Sequence, residues 1–187
     1  MFGDIARFLL NTVFTLFGVV LVLRAWMQAA HIPPYNPVTQ GILQATNWLV
    51  GPLRRIVPAT RTFDWACIVA AGLTALVYVA LMLASAGLEV GSMLPALVLV
   101  AVLTVTKWAL DLILWLTIAL ALLSWINPAS PAYALLDQLT APFLTPLRRV
   151  LPRFGNLDLS PLLLFVIVQV LIMVVMRAAA SLTLFGI

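Results

Sequence analysis

Two short runs hold most of the chemistry in this sequence: Pro52-Leu53-Arg54-Arg55-x-x-Pro58 and Pro146-Leu147-Arg148-Arg149-x-x-Pro152. Each is followed at the same interval by a carboxylate, Asp64 and Asp158. Adjacent guanidinium groups bind phosphate and carboxylate oxygens. The paired arginines therefore form a candidate site for anionic lipid headgroups or for the acidic surface of a partner. Arginine also anchors membrane topology, but a topology signal does not need prolines at fixed distances on both sides. Asp64 and Asp158 have two readings. Each can cap the helix that follows it, or each can pair with an arginine and fix the connecting segment against the helices.

Lys107 and Asp111 form a second charged group, spaced i, i+4 so that they share one face of a helix. Ionisable residues at membrane depth mark ion or proton paths by default, while the same pair near an interface is an ordinary anchor. Little else is reactive. Cys67 is the single cysteine and lies in an apolar run, where it reads as a small buried hydrophobe. His31 has no second His or Cys beside it, so neither a metal nor a haem site is expected. No nucleophile with a base, no Gly-rich phosphate loop and no paired carboxylates occur at useful spacing. The expectation is a non-enzymatic protein without a cofactor.

The elements that carry these residues follow from composition. The chain is 64% hydrophobic and 9% charged, with a mean hydropathy of +1.16. A soluble domain averages about 25% charged residues, so the bilayer must solvate most of this chain. The net charge of +4 comes from few, clustered residues and points to a membrane surface rather than to nucleic acid. Four spans are expected, at about residues 5–30, 65–86, 93–126 and 161–180. The first begins with Asp4 ahead of Arg7 and shows no clean cleavage site, so it reads as a retained helix. Its Arg7 and Arg24 are expected to snorkel to headgroups. Asp64 and Gly87 bracket the second as caps. The third is too long for one hydrocarbon crossing: 34 residues make a helix of about 51 Å. It is either one long helix or two segments broken near Lys107. Asn11 and Gln169 are expected to hydrogen-bond between helices. Ala70, Ala71, Gly72 and Ala178 to Ala180 suggest close packing, and Trp26, Trp48, Trp65 and Trp125 suggest an aromatic belt.

The chain is also a repeat. A shift of 94 lays residues 37–64 on 131–158 with nine of 28 positions identical, among them Pro37/Pro131, Thr46/Thr140, Arg54/Arg148 and Asp64/Asp158. The preceding helices align at a shift of 99, which brings Trp26 onto Trp125. The matches fall on polar punctuation rather than on apolar filler, so chance explains them poorly. Each connection carries an amphipathic stripe, Ile42, Ala45, Leu49 and Leu53 in one and Leu136, Leu139, Phe143 and Leu147 in the other, short and interrupted by Pro52, Pro142 and Pro146. Such a segment can lie in the headgroup plane. Arg54, Arg55, Arg61, Arg148, Arg149 and Arg153 place both connections on the cytoplasmic side. The expected fold is an all-α membrane protein of two tandem helix-pair repeats, residues 1–90 and 91–187, with four spans joined by interfacial amphipathic segments.

The second copy, with Trp125, Thr140-x-Pro142, Pro146-Leu147-Arg148-Arg149-x-x-Pro152 and Asp158-Leu159-Ser160-Pro161, resembles the YggT family of small bacterial membrane proteins, whose relatives include the YlmG proteins. The first copy departs from the pattern at Trp48, where the second has Pro142, and at Ala66-Cys67, where it has Ser160-Pro161. The resemblance implies a bacterial inner-membrane protein of uncharacterised function with no established enzymatic activity. The roles suggested for relatives include ion homeostasis under osmotic stress, cell division and envelope organisation, and haem attachment to cytochrome b in plastids. Together the residues and the resemblance lead to a membrane scaffold or assembly factor that binds anionic lipid, a protein partner or a second copy of itself. A component of an ion-transport or osmotic-stress system is the alternative.

Overall fold

The computed structural model describes residues 2–34, 36–57, 64–85, 87, 94–150 and 158–184. All regular structure among them is helical: α1 (Phe2–Ala29), α2 (Pro37–Leu53), α3 (Trp65–Ser85), α4 (Leu94–Ile126), α5 (Pro131–Val150) and α6 (Ser160–Leu184). The order is long–short–long, twice. α1, α3, α4 and α6 are each long and apolar enough to cross a bilayer, and the chain is a multi-pass membrane protein. Residues 94–126 form one helix, with no break at Lys107.

Local chemistry sets the ends. α1 closes with His31 at φ 55°. The Ile32 N–H reaches back to the Met27 carbonyl (3.0 Å) and the His31 N–H to the Gln28 carbonyl (3.0 Å). This is the left-handed helix stop usually given to glycine, and it gives His31 a structural task. Asn36 caps α2, its side chain accepting from the Val38 N–H at 3.0 Å ahead of Pro37. Ser130 does the same for α5, accepting from the Tyr133 N–H at 3.1 Å. Proline suits the first turn because its missing N–H would have had no partner there. Gly87, at φ 75°, follows α3 as expected.

The connecting helices are longer than their prolines suggest. α5 continues through Pro142 and Pro146, and α2 through Pro52. Each proline removes one donor, but packing of the apolar stripe compensates. Leu139 and Leu144 are buried, and Leu144 joins Leu114, Leu120, Leu164 and Val168 in one cluster, with Leu136, Phe143 and Leu147 against it.

The chain divides into two compact units, one of residues 1–109 and 175–187 and the other of residues 110–174. Their boundary is not the repeat boundary, because α4 and α6 each run through both. In the first unit α1 lies along α3 and α2 packs on both. Small residues permit the close approach: Ala66, Cys67, Ala70 and Ala71 are buried against Leu21, Ala25 and Val50. The closest contact is at Gly18, where Trp108 of α4 fills the space that a side chain would occupy. Gly72, grouped by sequence with the packing alanines, faces open space instead. The Tyr78 hydroxyl donates to Asn11 Oδ1 at 2.9 Å, the interhelical bond expected of that amide. Arg7 donates to the Ser85 carbonyl at 2.6 Å and so ties the start of α1 to the end of α3. Trp48, Trp65 and Trp125 are exposed, as an aromatic belt requires.

Candidate functional site: two arginine–aspartate clasps

Each repeat folds its Pro-Leu-Arg-Arg segment onto its own aspartate. In the first, Arg54 follows the last turn of α2, its N–H bonded to the Val50 carbonyl at 3.0 Å. Its guanidinium forms an ion pair with Asp64, directly before α3. Asp64 is fully buried. Its second donor is the Cys67 thiol, 3.1 Å from the same oxygen, and its carbonyl accepts the Cys67 N–H at 3.0 Å. Cys67 is thus buried, as its surroundings predict, and is also a ligand to the carboxylate.

In the second repeat Arg148, in the last turn of α5, donates through Nε to Asp158 Oδ2 at 2.9 Å and through Nη1 to Asp137 Oδ1 at 3.3 Å. The other oxygen of Asp158 accepts the Ser160 N–H at 2.9 Å and starts α6. Asp158 therefore performs both tasks open to it in sequence, capping and ion pairing. At Asp64 the ion pair dominates.

Burial pushes both carboxyls up, but their donors outweigh it. The hydrogen bond from Arg54, then that from Cys67, holds Asp64 below the ordinary carboxylate range. The Ser160 backbone and side chain, then Arg148, do the same for Asp158. Burial lowers Arg148, yet its bonds to Asp158 and Asp137 carry it above its ordinary value. Both carboxylates are therefore ionised at neutral pH.

The second arginine of each pair behaves differently. Arg55 and Arg149 are exposed and have no ion pair among the described residues. Pro52 and Pro146 flank them, exposed at the helix ends. Pro58, Pro152, Arg61 and Arg153, together with most of the 87–92 loop, lie outside the described residues. Lys107 and Asp111 are half-buried near the middle of α4 rather than at an end. Gln169 is exposed on α6 and makes no interhelical bond among the described residues.

Sequence reasoning misses Arg24. Instead of snorkelling it is buried, and its Nη1 donates to Thr46 Oγ1 at 2.6 Å. The Thr46 hydroxyl in turn donates to the Ile42 carbonyl at 2.6 Å. Arg24 is within electrostatic reach of Arg54 and Asp64. Its counterpart at a shift of 99 is Leu123, while Asp137, the extra partner of Arg148, corresponds to Leu43. The first clasp has thus gained a cation and the second an anion. The readable signal was Thr46/Thr140, one of the nine identical pairs, since both hydroxyls are fully buried.

Beside the second clasp is a cavity of about 600 Å³, lined by Trp125, Tyr133, Leu162 and Phe165, with Arg148 and Asp158 among its walls. Its size falls within the roughly 300–1,000 Å³ of small-molecule sites. Apolar walls with one ion pair suit an amphiphile.

The fold and the clasps define a class: a multi-pass helical membrane protein with a duplicated long–short–long unit and an arginine–aspartate pair closing each copy. The chain belongs to the CCB3/YggT family, whose model matches residues 4–85 and again residues 99–179. Among curated proteins it is 36% identical to the uncharacterised protein YggT of Escherichia coli K12 over 165 residues, 88% of this chain and 85% of that one. It is 40% identical over 164 residues to an uncharacterised protein of Vibrio alginolyticus, covering 87% and 88% of the two chains. An uncharacterised Pseudomonas aeruginosa protein is 35% identical over 180 residues, 95% of this chain and 91% of that one. No solved structure matches the chain.

Proposed function

We propose that this protein is a non-enzymatic scaffold or assembly factor of the bacterial inner membrane, with both Pro-Leu-Arg-Arg segments on the cytoplasmic face and bound to anionic lipid headgroups or an acidic partner. One observation carries the reading: the two arginines of each pair divide the work. Arg54 and Arg148 are spent on internal carboxylates, while Arg55 and Arg149 are exposed beside them. The clasp makes a fixed platform, and the free guanidinium is the contact. An arginine near an anionic surface contributes about 1 kcal/mol.

The test separates contact from platform. Arg55→Glu with Arg149→Glu should reduce co-purified phosphatidylglycerol or partner several-fold, read by native mass spectrometry, with membrane insertion and melting temperature unchanged. Retained association would refute the reading.

A second reading has support from Lys107 and Asp111, which lie mid-helix in a candidate span. Charged side chains at the bilayer centre cost at least about 2.5 kcal/mol each, and such a cost is usually tolerated for a purpose. Ion transport under osmotic stress is that alternative. It requires ion flux into proteoliposomes that Asp111→Asn abolishes, and an absence of flux from oriented protein rejects it.

A further inference from the structure

The two copies differ in how they fill the space beside their clasps. In the first copy that space is closed. Leu21 and Ala25 of α1 are buried with Cys67 and Ala71 of α3 in one cluster. Shifts of 99 and 94 lay these four positions on Leu120, Ser124, Pro161 and Phe165. In the second copy all four line the cavity of about 600 Å³ that holds Arg148 and Asp158 in its wall. The residue sizes account for the difference. Cys67, Ala70 and Ala71 are small enough for α1 and α3 to approach closely. At the matching places α6 carries Pro161, Leu164 and Phe165, and side chains of that bulk keep helix backbones apart. Protein interiors hold few voids larger than a water molecule. An opening of this size, kept in one copy and closed in the other, calls for an occupant.

We infer that this cavity binds one uncharged single-chain lipid, with a carbonyl, ester or hydroxyl oxygen at the clasp and its chain along Leu162 and Phe165. Volume sets the tail. A water-sized group takes about 30 Å³ in a liquid, so roughly twenty such groups fit. That is one long chain with a small head, and too little for both tails and the headgroup of a phospholipid. The polar part of the wall sets the head. Thr117 and Ser124 donate their hydroxyls to the Ile113 and Ala121 carbonyls of their own helix, at 2.7 Å each. Arg148 gives Nε to Asp158 and Nη1 to Asp137. Three donors in the wall then have no acceptor among the described residues: Nη2 of Arg148, the Tyr133 hydroxyl and the Trp125 indole N–H. All three call for an oxygen acceptor, which an ammonium head lacks. An anionic head has the acceptor but finds Arg148 already matched by two carboxylates. An uncharged oxygen meets both conditions, and the acyl glycerols and prenyl quinones share this chemistry. The site lies wholly within the second unit and does not depend on what Arg55 and Arg149 bind.

Native mass spectrometry of the full chain from phosphatidylcholine nanodiscs tests it, with one probe added at a time: 1-monooleoylglycerol, decylubiquinone or oleate. At least one neutral probe should saturate at one per chain, and oleate should bind several-fold more weakly. The tighter of the two neutral probes tells an acyl glycerol site from a quinone site. Ala121→Phe fills the cavity at a position where the first copy already has the larger Val22, and should cut occupancy several-fold. Tyr133→Phe keeps the ring and removes one donor, and should also weaken binding several-fold. It carries the test alone if Ala121→Phe lowers the melting temperature. Three results would overturn the inference: no neutral probe saturating at one per chain, occupancy that a folded variant leaves unchanged, or a preference for oleate over both neutral probes.

Discussion

Arg54→Ala is expected to destabilise the protein by about 1–3 kcal/mol, the cost of leaving a buried polar group without its partner; the arginine itself is 41% exposed, but its carboxylate partner is not. The loss comes from Asp64, which is fully buried and would be left a desolvated carboxyl without its chief donor. Thermal or denaturant unfolding in detergent, followed by tryptophan fluorescence, reads it directly. Arg148→Ala is the comparison. Its partners Asp137 and Asp158 are both partly exposed, so water can replace the arginine, and about 1 kcal/mol is the most that an exposed pair gives. A double variant, Arg54→Met with Asp64→Leu, should recover most of the loss, since the cost lies in the orphaned buried carboxyl. Equal effects of Arg54→Ala and Arg148→Ala would contradict this account. The same geometry sets the response to acid. Asp64 and Asp158 are held below their ordinary values, so each adds stability that is present above the unfolded carboxyl value of about 4 and is lost as pH falls through the folded value. Melting temperature should hold from neutrality down to about that value and then drop, and Asp64→Asn should flatten the drop.

Gly18→Ala is expected to cost about 1–3 kcal/mol through overpacking, and Gly18→Leu more. A Cβ at position 18 would stand 2.2 Å from Trp108 Cε3, and that ring is itself buried beside Ala75 and Ala101. It cannot swing away without opening the contact between α3 and α4. Trp108→Leu should rescue the Gly18→Ala variant, although it is destabilising alone. Gly72→Ala is the internal control, because nothing lies within 4 Å of the Cβ it would gain. There the substitution removes only glycine's excess backbone freedom, and about 0.5–1 kcal/mol of stabilisation is expected. If the two substitutions behave alike, the helix approach at Gly18 is not what limits the packing.

The sequence by itself determined the solvent, the spans and the duplication. Hydropathy is a sum over local composition, so four apolar helices can be counted without coordinates. A motif such as Pro-Leu-Arg-Arg is visible twice because its spacing is covalent. The paired prolines, arginines and aspartates were legible for the same reason, and so were Gly87 and the helix ends near it. What a side chain touches is not covalent, and there only tertiary structure decided. Arg24 has the spacing of a snorkelling residue, but the buried Thr46 hydroxyl lies within its reach and holds it inside. Gly18 looks no different from Gly72 until Trp108 arrives from a helix 90 residues away in sequence. Gln169 looks like an interhelical amide, yet α6 turns it outward. Above all, the sequence presents Arg54-Arg55 and Arg148-Arg149 as equivalent pairs. The fold separates them, because at the end of a helix adjacent residues point about 100° apart. One arginine therefore meets the aspartate ahead of the next span and its neighbour faces outward.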